Sequence, residues 1–387
     1  MAVGGAIARV PVKPELLRWA VERSRVDPLT RTGALAEAWL RGAKQPTLRQ
    51  LEAFAKATYT PLGYFFLPEP PVDQLPIQDF RTVRGEIERP SANLLDTVYA
   101  MQRRQDFLRE DRREGEAEPL DFVGSARLDD EPEAIGRAMR RVAGLDEGWA
   151  ATVGTWTEAI GALRQRIESL GVVVVINGVV GNNTSRKLDV REFRGFALTD
   201  VHAPFIFVNG ADAKSAQMFT LAHELAHVWL GRDGEGLSGF DGLFPGEQRV
   251  ERFCDRAAAE FLVPAAELQA RWPRVRADDE PFEHLARHFK VSPIVAARRA
   301  MDLRLVTRQA FFAFYEDYTQ RERRRPKASG GGDFYNTQNT RVGQGFALAV
   351  MRAALDGRVS FKEAYDLTGL RGGAFQEYGR RLGVPLP

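Results

Sequence analysis

Along the first 67 residues apolar positions recur at helical spacing in short runs, over residues 14–24, 34–41, 47–58 and 61–67. In the third run Thr47 is placed to cap the helix, and Leu48, Leu51, Phe54 and Ala55 form the apolar face behind it. Short helices separated by glycine or proline turns predict a small helical bundle. The proline cluster Pro68, Pro70, Pro71 and Pro76 then ends this unit and opens an extended connector. Residues 91–113 are highly charged, yet Leu94, Leu95, Val98, Met101 and Leu108 keep near-helical spacing, which predicts one more helix.

The pattern changes from about Leu145. A helix over 156–170 leads into Val172, Val173, Val174, Val175 and Ile176, a β-branched run that reads as a buried strand. Strand-like runs follow at 192–198 and 204–208, and then helices at 213–230, 248–262, 281–290 and 293–301. Strands followed by packed helices predict an α+β domain. A further helix ends in the basic run Arg321, Arg323, Arg324 and Arg325; Gly330, Gly331 and Gly332 read as a flexible linker, and the remainder as a separate small helical unit. The expected domains are 1–70 (helical), 71–145 (a connector with helices), 146–325 (α+β) and 333–387 (helical).

Composition narrows the chemistry. Fifty-four basic residues against 52 acidic ones leave no overall field to draw the molecule to nucleic acid or a membrane, so any DNA contact has to be local. One cysteine, Cys254, excludes an internal disulfide framework and a cysteine-rich metal site, and suits a reducing cytoplasm. No apolar run approaches the ~18 residues of a membrane helix, and the N-terminus lacks a secretory pattern. A soluble, cytoplasmic protein is expected.

The segment QMFTLAHELAHVWLG carries the strongest chemical signal. His223 and His227 lie one helical turn apart, so both imidazoles can face one ion, and Glu224 stands beside them. Zinc takes nitrogen and oxygen ligands in a tetrahedron with one corner open to water, and an adjacent carboxylate can accept a proton from that water. With five histidines in the chain, His-Glu-x-x-His arises by chance in roughly half a percent of shuffled sequences, so the surroundings must carry part of the argument. They are apolar nearly all round the helix, as a buried site requires, and Gly231 is placed to stop it. A third ligand is needed. Glu251 on the next helix is the best candidate, with Asp255 four residues on and placed to orient a ligating histidine; Glu247 and Glu260 compete with Glu251.

Other motifs have plainer readings. His284 and His288 repeat the four-residue spacing without an acidic neighbour and read as part of an amphipathic helix pair. Cys254 reads as a small buried residue. The basic run from Arg321 to Arg325 reads as a solvated helix end, and the sequon Asn182-Asn183-Thr184 has no meaning in a bacterial-type cytoplasm.

The segments FRGFALTDVHAPFIFVNGADAKSAQMFTLAHELAHVWLG and VERFCDRAAAEFLVP resemble the ImmA/IrrE family of metallo-endopeptidases, and the resemblance spans about residues 149–308. It implies a zincin-like metallopeptidase domain, Zn2+ held by His223, His227 and Glu251, and Glu224 as the catalytic glutamate. Family members cleave helix-turn-helix repressors or antitoxins and so switch on stress or mobile-element genes, which implies a protein substrate of that kind. ALAEAWLRGAKQPTLRQLEAFAKATYTPLGYFFLP resembles the third to fifth helices of an Xre-type helix-turn-helix domain, with Arg31, Arg41 and Lys44 as candidate DNA contacts. Pro28 and Gly33 disturb the expected second helix, so protein interaction or homodimerisation is the alternative for this module. The expected function is a regulatory zinc endopeptidase in which one strand, 192–198 or 204–208, lies at a sheet edge and pairs with extended substrate. The rival is a DNA-binding regulator or antitoxin whose peptidase-like domain serves sensing or assembly.

Overall fold

A computed structural model describes residues 9–25, 30–42, 44–71, 90–231, 237–238, 247–323 and 334–385. The chain divides into two compact units, Met1–Val98 and Tyr99–Pro387. The first holds α1 (Pro14–Ser24), α2 (Arg31–Leu40), α3 (Leu48–Ala57) and a 3-10 turn at Leu62–Phe66. Thr47 does cap α3, through a capping box in which its side chain accepts from the Gln50 N–H and the Gln50 side chain accepts from its own. The core of this unit is Leu16, Leu17, Trp19, Trp39, Leu51, Phe54 and Phe65, with Trp39 edge-on to Phe54 at 5.3 Å. The expected irregularity around Pro28 lies partly outside the described residues; α2 itself begins at Arg31 and runs through Gly33.

The helix α4 (Ala92–Glu114) leads into the second unit, followed by α5 (Pro132–Val142) and α6 (Trp156–Ser169). The sheet is built from β1 (Val173–Asn177), β4 (Gly195–Leu198), β5 (Phe205–Asn209) and β6 (Leu237–Ser238), with β2 (Val179–Val180) and β3 (Asn183–Lys187) forming a separate hairpin. Its order is β1-β5-β4-β6, with β1 parallel to β5 and the other pairs antiparallel. The remaining helices are α7 (Lys214–Leu230), α8 (Glu247–Leu262), α9 (Ala265–Val275), α10 (Pro281–Phe289), α11 (Pro293–Asp302), α12 (Arg308–Arg323), α13 (Phe334–Val342), α14 (Gln344–Leu355), α15 (Phe361–Thr368) and α16 (Gly373–Arg381).

Both faces of the sheet are buried. Val174, Ala197, Ile206 and Val208 face α6 and α7 and join the main core. The alternate positions Val173, Val175, Phe196, Phe205 and Phe207 are also buried. Over this second face α13 packs on β1, and Phe346 of α14 stands edge-on to Phe205 at 5.7 Å and to Phe107 of α4 at 5.9 Å. The helices after residue 333, expected to stand apart as a separate unit, thus belong to the same compact body and supply the second layer.

Two further expectations change. The strand expected at 204–208 is central, between β1 and β4, and so cannot pair with a substrate. The strand expected at 192–198 shortens to β4, which pairs with β6 at Ala197 and Leu198. Gln105 of α4 fixes the turn between β4 and β5 by donating to the carbonyls of Leu198 and Ala203, each at 2.9 Å.

Candidate metal centre

The helix α7 is apolar almost all round because it is buried almost all round: Met218, Leu221, Ala222, Leu225, Ala226 and Val228 are fully covered. Its last turn is held by a backbone strap, with Gly124 N–H donating to the Val228 carbonyl at 3.1 Å and Ala126 N–H to Trp229 at 3.0 Å. Phe122 stacks on Trp229 with ring centroids 4.3 Å apart. Gly231 ends the helix with φ of 51°, and any Cβ there would meet the Gly124 Cα at 2.3 Å, so glycine is required twice over.

The second helix of the site, α8, is set by α5. A Cβ on Gly136 would come within 2.5 Å of the Ala257 carbonyl oxygen and 2.8 Å of Glu260 Cβ, so the two helices cross at glycine contact. Arg140 donates to the Phe261 carbonyl, and Arg256 pairs with Glu133 at 2.7 Å.

Between them α7 and α8 bring His223, His227 and Glu251 together. The His223 and His227 Nε2 atoms are 3.0 Å apart, His223 Nε2 is 3.2 Å from Glu251 Oε2, and His227 Nε2 is 3.3 Å from Glu251 Oε1. These edges approach the ~3.3 Å expected between ligand atoms of a tetrahedral zinc ion with bonds near 2.0 Å. On its far side His223 Nδ1 lies 3.0 Å from Asp255 Oδ1. If Nδ1–H donates to Asp255, the Nε2 lone pair is turned inward, as ligation requires. Glu251 Oε1 is buried and makes no hydrogen bond, although a ring nitrogen sits at 3.3 Å. Two inward lone pairs and a buried carboxylate oxygen without a donor fit a cation among them. Among the described residues this is the one cluster of three or more such side chains that could hold a metal ion.

The electrostatics follow from the same contacts. Burial opposes ionisation of Glu251, but the close ring nitrogens of His223 and His227 hold its carboxyl well below the usual range. Burial likewise opposes protonation of His223, yet Asp255 and Glu251 overcome it and raise the imidazole well above its ordinary value. For His227 burial wins, helped by neighbouring His223, and its pKa is lowered. Two adjacent imidazoles thus differ in proton affinity because only one has a carboxylate on each nitrogen.

Glu224 is 3% exposed, with its carboxylate against β4. A Cβ at Gly195 would sit 2.5 Å from Thr220 Cγ2 and 3.1 Å from Glu224 Oε1, so this strand glycine leaves the room that the carboxylate fills. The competing carboxylates separate clearly. Glu260 is buried against Arg299 and accepts the Ala265 N–H at 3.2 Å, while the Glu247 side chain lies outside the described residues. His284 and His288 are engaged by Asp278 and Glu267, and Cys254 is fully buried. In the N-terminal unit Arg41 is paired with Glu37 at 2.9 Å and Lys44 is exposed; the Arg31 side chain lies outside the described residues. Sequence reasoning missed Gly136 and Gly195. Each is a glycine inside a regular element, which is the one available signal of close approach.

Residues 167–301 match a family model described as the IrrE N-terminal-like domain, and residues 342–381, over α14 to α16, match one described only as a domain of unknown function. The radiation response metalloprotease IrrE of Deinococcus radiodurans is 33% identical over 90 residues, covering 22% of this chain and 27% of that protein. The chain thus spans about a quarter of the length of this curated relative. No described helix is long and apolar enough to cross a membrane. Residues 167–301, where α7 and α8 converge on the histidine and glutamate cluster, are thus similar to the IrrE N-terminal-like domain of the ImmA/IrrE family.

Proposed function

We propose that this protein is a zinc-dependent endopeptidase of regulatory type that cleaves a helix-turn-helix repressor or antitoxin. The observation that carries the reading is the triangle of His223, His227 and Glu251, with 3.0–3.3 Å edges and the buried Glu224 on the next residue of the same helix. Zinc held there would polarise a water molecule and the scissile carbonyl. Glu224 accepts the proton of that water and passes it to the leaving amine, and its burial beside Gly195 keeps competing solvent away from the transfer. Asp255 orients His223 and offsets its charge. The N-terminal helices, with the exposed Lys44, serve in this reading to recognise the target or its DNA.

The test is Glu224→Gln in the full chain, assayed on helix-turn-helix repressors encoded beside it. The variant is expected to bind one zinc per chain like the native protein and to lose cleavage by at least a hundredfold, on the order of a general base's contribution. Cleavage at native rate by this variant would remove Glu224 from the mechanism.

A further inference from the structure

Elsewhere in the same unit, α9, α10 and the 3-10 turn at Trp149–Thr152 line a wide-open cavity of about 440 Å³. Its charged lining is of one sign in potential: Arg271, His284, Arg287 and His288, with Ala151 and Val275 as the apolar remainder. No carboxylate lines it, which sets it apart from two other cavities of this unit. One runs along α4 and α15 and includes Asp106, Glu110 and Asp366; the other, beside Trp156, includes Glu280 and Glu283.

The four groups are not equivalent. His284 Nδ1 lies 2.6 Å from Asp278 Oδ2, and His288 Nε2 lies 2.7 Å from Glu267 Oε1, so a carboxylate outside the cavity offsets whatever charge each ring carries. The arginines have no such partner among the described residues. Arg287 uses Nε to donate to the carbonyl of Glu283, 3.2 Å away, and Arg271 Nε is buried and meets no acceptor. Two like charges at one cavity repel each other. An oxyanion with several acceptor oxygens, held by the terminal guanidinium nitrogens, relieves that repulsion.

We propose that this cavity is a binding site for a dianionic phosphate, either inorganic phosphate or the terminal phosphate of a small monoester such as a mononucleotide. Two fixed positive charges match a dianion better than a singly charged diester. Two planar guanidinium forks suit a tetrahedral group with three terminal oxygens. The cavity also has room for more than a lone phosphate, and Val275 and Ala151 provide apolar wall for the remainder of an ester. The site is independent of the zinc-peptidase reading, since none of its residues belongs to the metal cluster.

Titration calorimetry of the full chain with inorganic phosphate, adenosine monophosphate, adenosine and a short DNA duplex tests the proposal. Phosphate or the nucleotide is expected to bind with one site per chain, adenosine is not, and the tighter of the first two identifies the source. Arg271→Ala and Arg287→Ala are each expected to weaken binding about tenfold or more, with Arg271→Lys recovering part of the loss. Arg287 is exposed, so its variant decides the matter if Arg271→Ala unfolds. The proposal is overturned if neither phosphate compound binds, or if both alanine variants bind as the native protein does, which would move the anion to the metal cluster. It is overturned as well if the duplex alone is bound.

Discussion

Replacing Gly136 by alanine tests how the metal cluster is held from outside. Helix propensity alone favours the change, since glycine inside a helix is worse than alanine by roughly 0.5–1 kcal/mol. The packing opposes it. The new methyl would meet the Ala257 carbonyl oxygen at 2.5 Å and Glu260 Cβ at 2.8 Å, atoms fixed by the helix itself rather than the ends of flexible side chains. Contacts ordinarily begin near 3.4 Å, so α8 must retreat by roughly 0.5–1 Å, and overpacking of this kind costs about 1–3 kcal/mol. The clash wins, and Gly136→Ala should be destabilised by about 1–2 kcal/mol net. Glu251 lies six residues before Ala257 on α8, ~9 Å along the axis, so the retreat also opens the 3.2 and 3.3 Å contacts with the histidines. Zinc affinity should fall by a factor on the order of ten. Gly161 of α6 provides the control: nothing lies within 4 Å of its Cβ position, and Gly161→Ala should gain roughly 0.5–1 kcal/mol with zinc binding unchanged. Calorimetric unfolding and zinc competition with a chelating dye read both quantities. If Gly136→Ala melts at or above the native temperature, the close crossing of α5 and α8 does not set the site.

Asp255→Ala should reduce zinc affinity about 10–100-fold, toward the smaller figure because the Asp255 side chain is 59% exposed, while far-ultraviolet circular dichroism stays native; unchanged affinity would show that His223 is oriented otherwise. Zinc affinity should keep rising with pH above the ordinary imidazole value of about 6.5, because binding must displace the proton that Asp255 and Glu251 favour on His223, and proton release measured in two buffers should persist there. Without zinc, Glu251 contributes stability that likewise grows with pH, but over a more acidic range. Its carboxyl is lowered on folding, so the contribution is present above the unfolded value of about 4.3 and is lost as acid reprotonates it, which acid titration of a Glu251→Gln variant should show by a flatter profile below about pH 4. Phe346→Ala should cost about 3–5 kcal/mol and lower the melting of the whole second unit in one transition, since Phe346 is 1% exposed between Phe205 and Phe107; a separate early transition for the last helices would contradict their role as a layer of the sheet.

The parts of the site that the sequence makes legible are those in which chemistry and periodicity coincide. The helix of His223 and His227 stands out because it is apolar on every side, and Glu251 with Asp255 because a turn of helix separates two carboxylates. The helix α5 is strongly amphipathic, with Ile135, Met139 and Val142 at helical spacing. Its part in the site is nonetheless hidden, because the buried face of Pro132, Gly136, Met139 and Arg140 meets α8 at a glycine, and a glycine does not name its neighbour. The helix α9 is hidden similarly, with Leu268 and Val275 as its buried apolar positions and Pro273 inside it reading as a break. The hairpin strand β3 is mostly exposed and so shows no alternation. The run Val172 to Ile176 does announce a strand buried on both faces, hence two covering layers. Nothing in its own residues says that the second cover comes from the far end of the chain, because that depends on contacts between segments more than a hundred residues apart.

The three side chains that could hold a metal ion come from two helices that the backbone joins only by way of residues 231–246. An ion held by His223, His227 and Glu251 would therefore be a cross-link as well as a reagent, closing that loop much as a disulfide closes one in an oxidising compartment. Its grip would extend beyond the ligands, since α8 carries α5 with it through the crossing at Gly136. Amide exchange in α5, a helix with no ligand of its own, should then slow when zinc is added and quicken when a chelator removes it, making the rigidity of a remote helix a measure of occupancy at the centre.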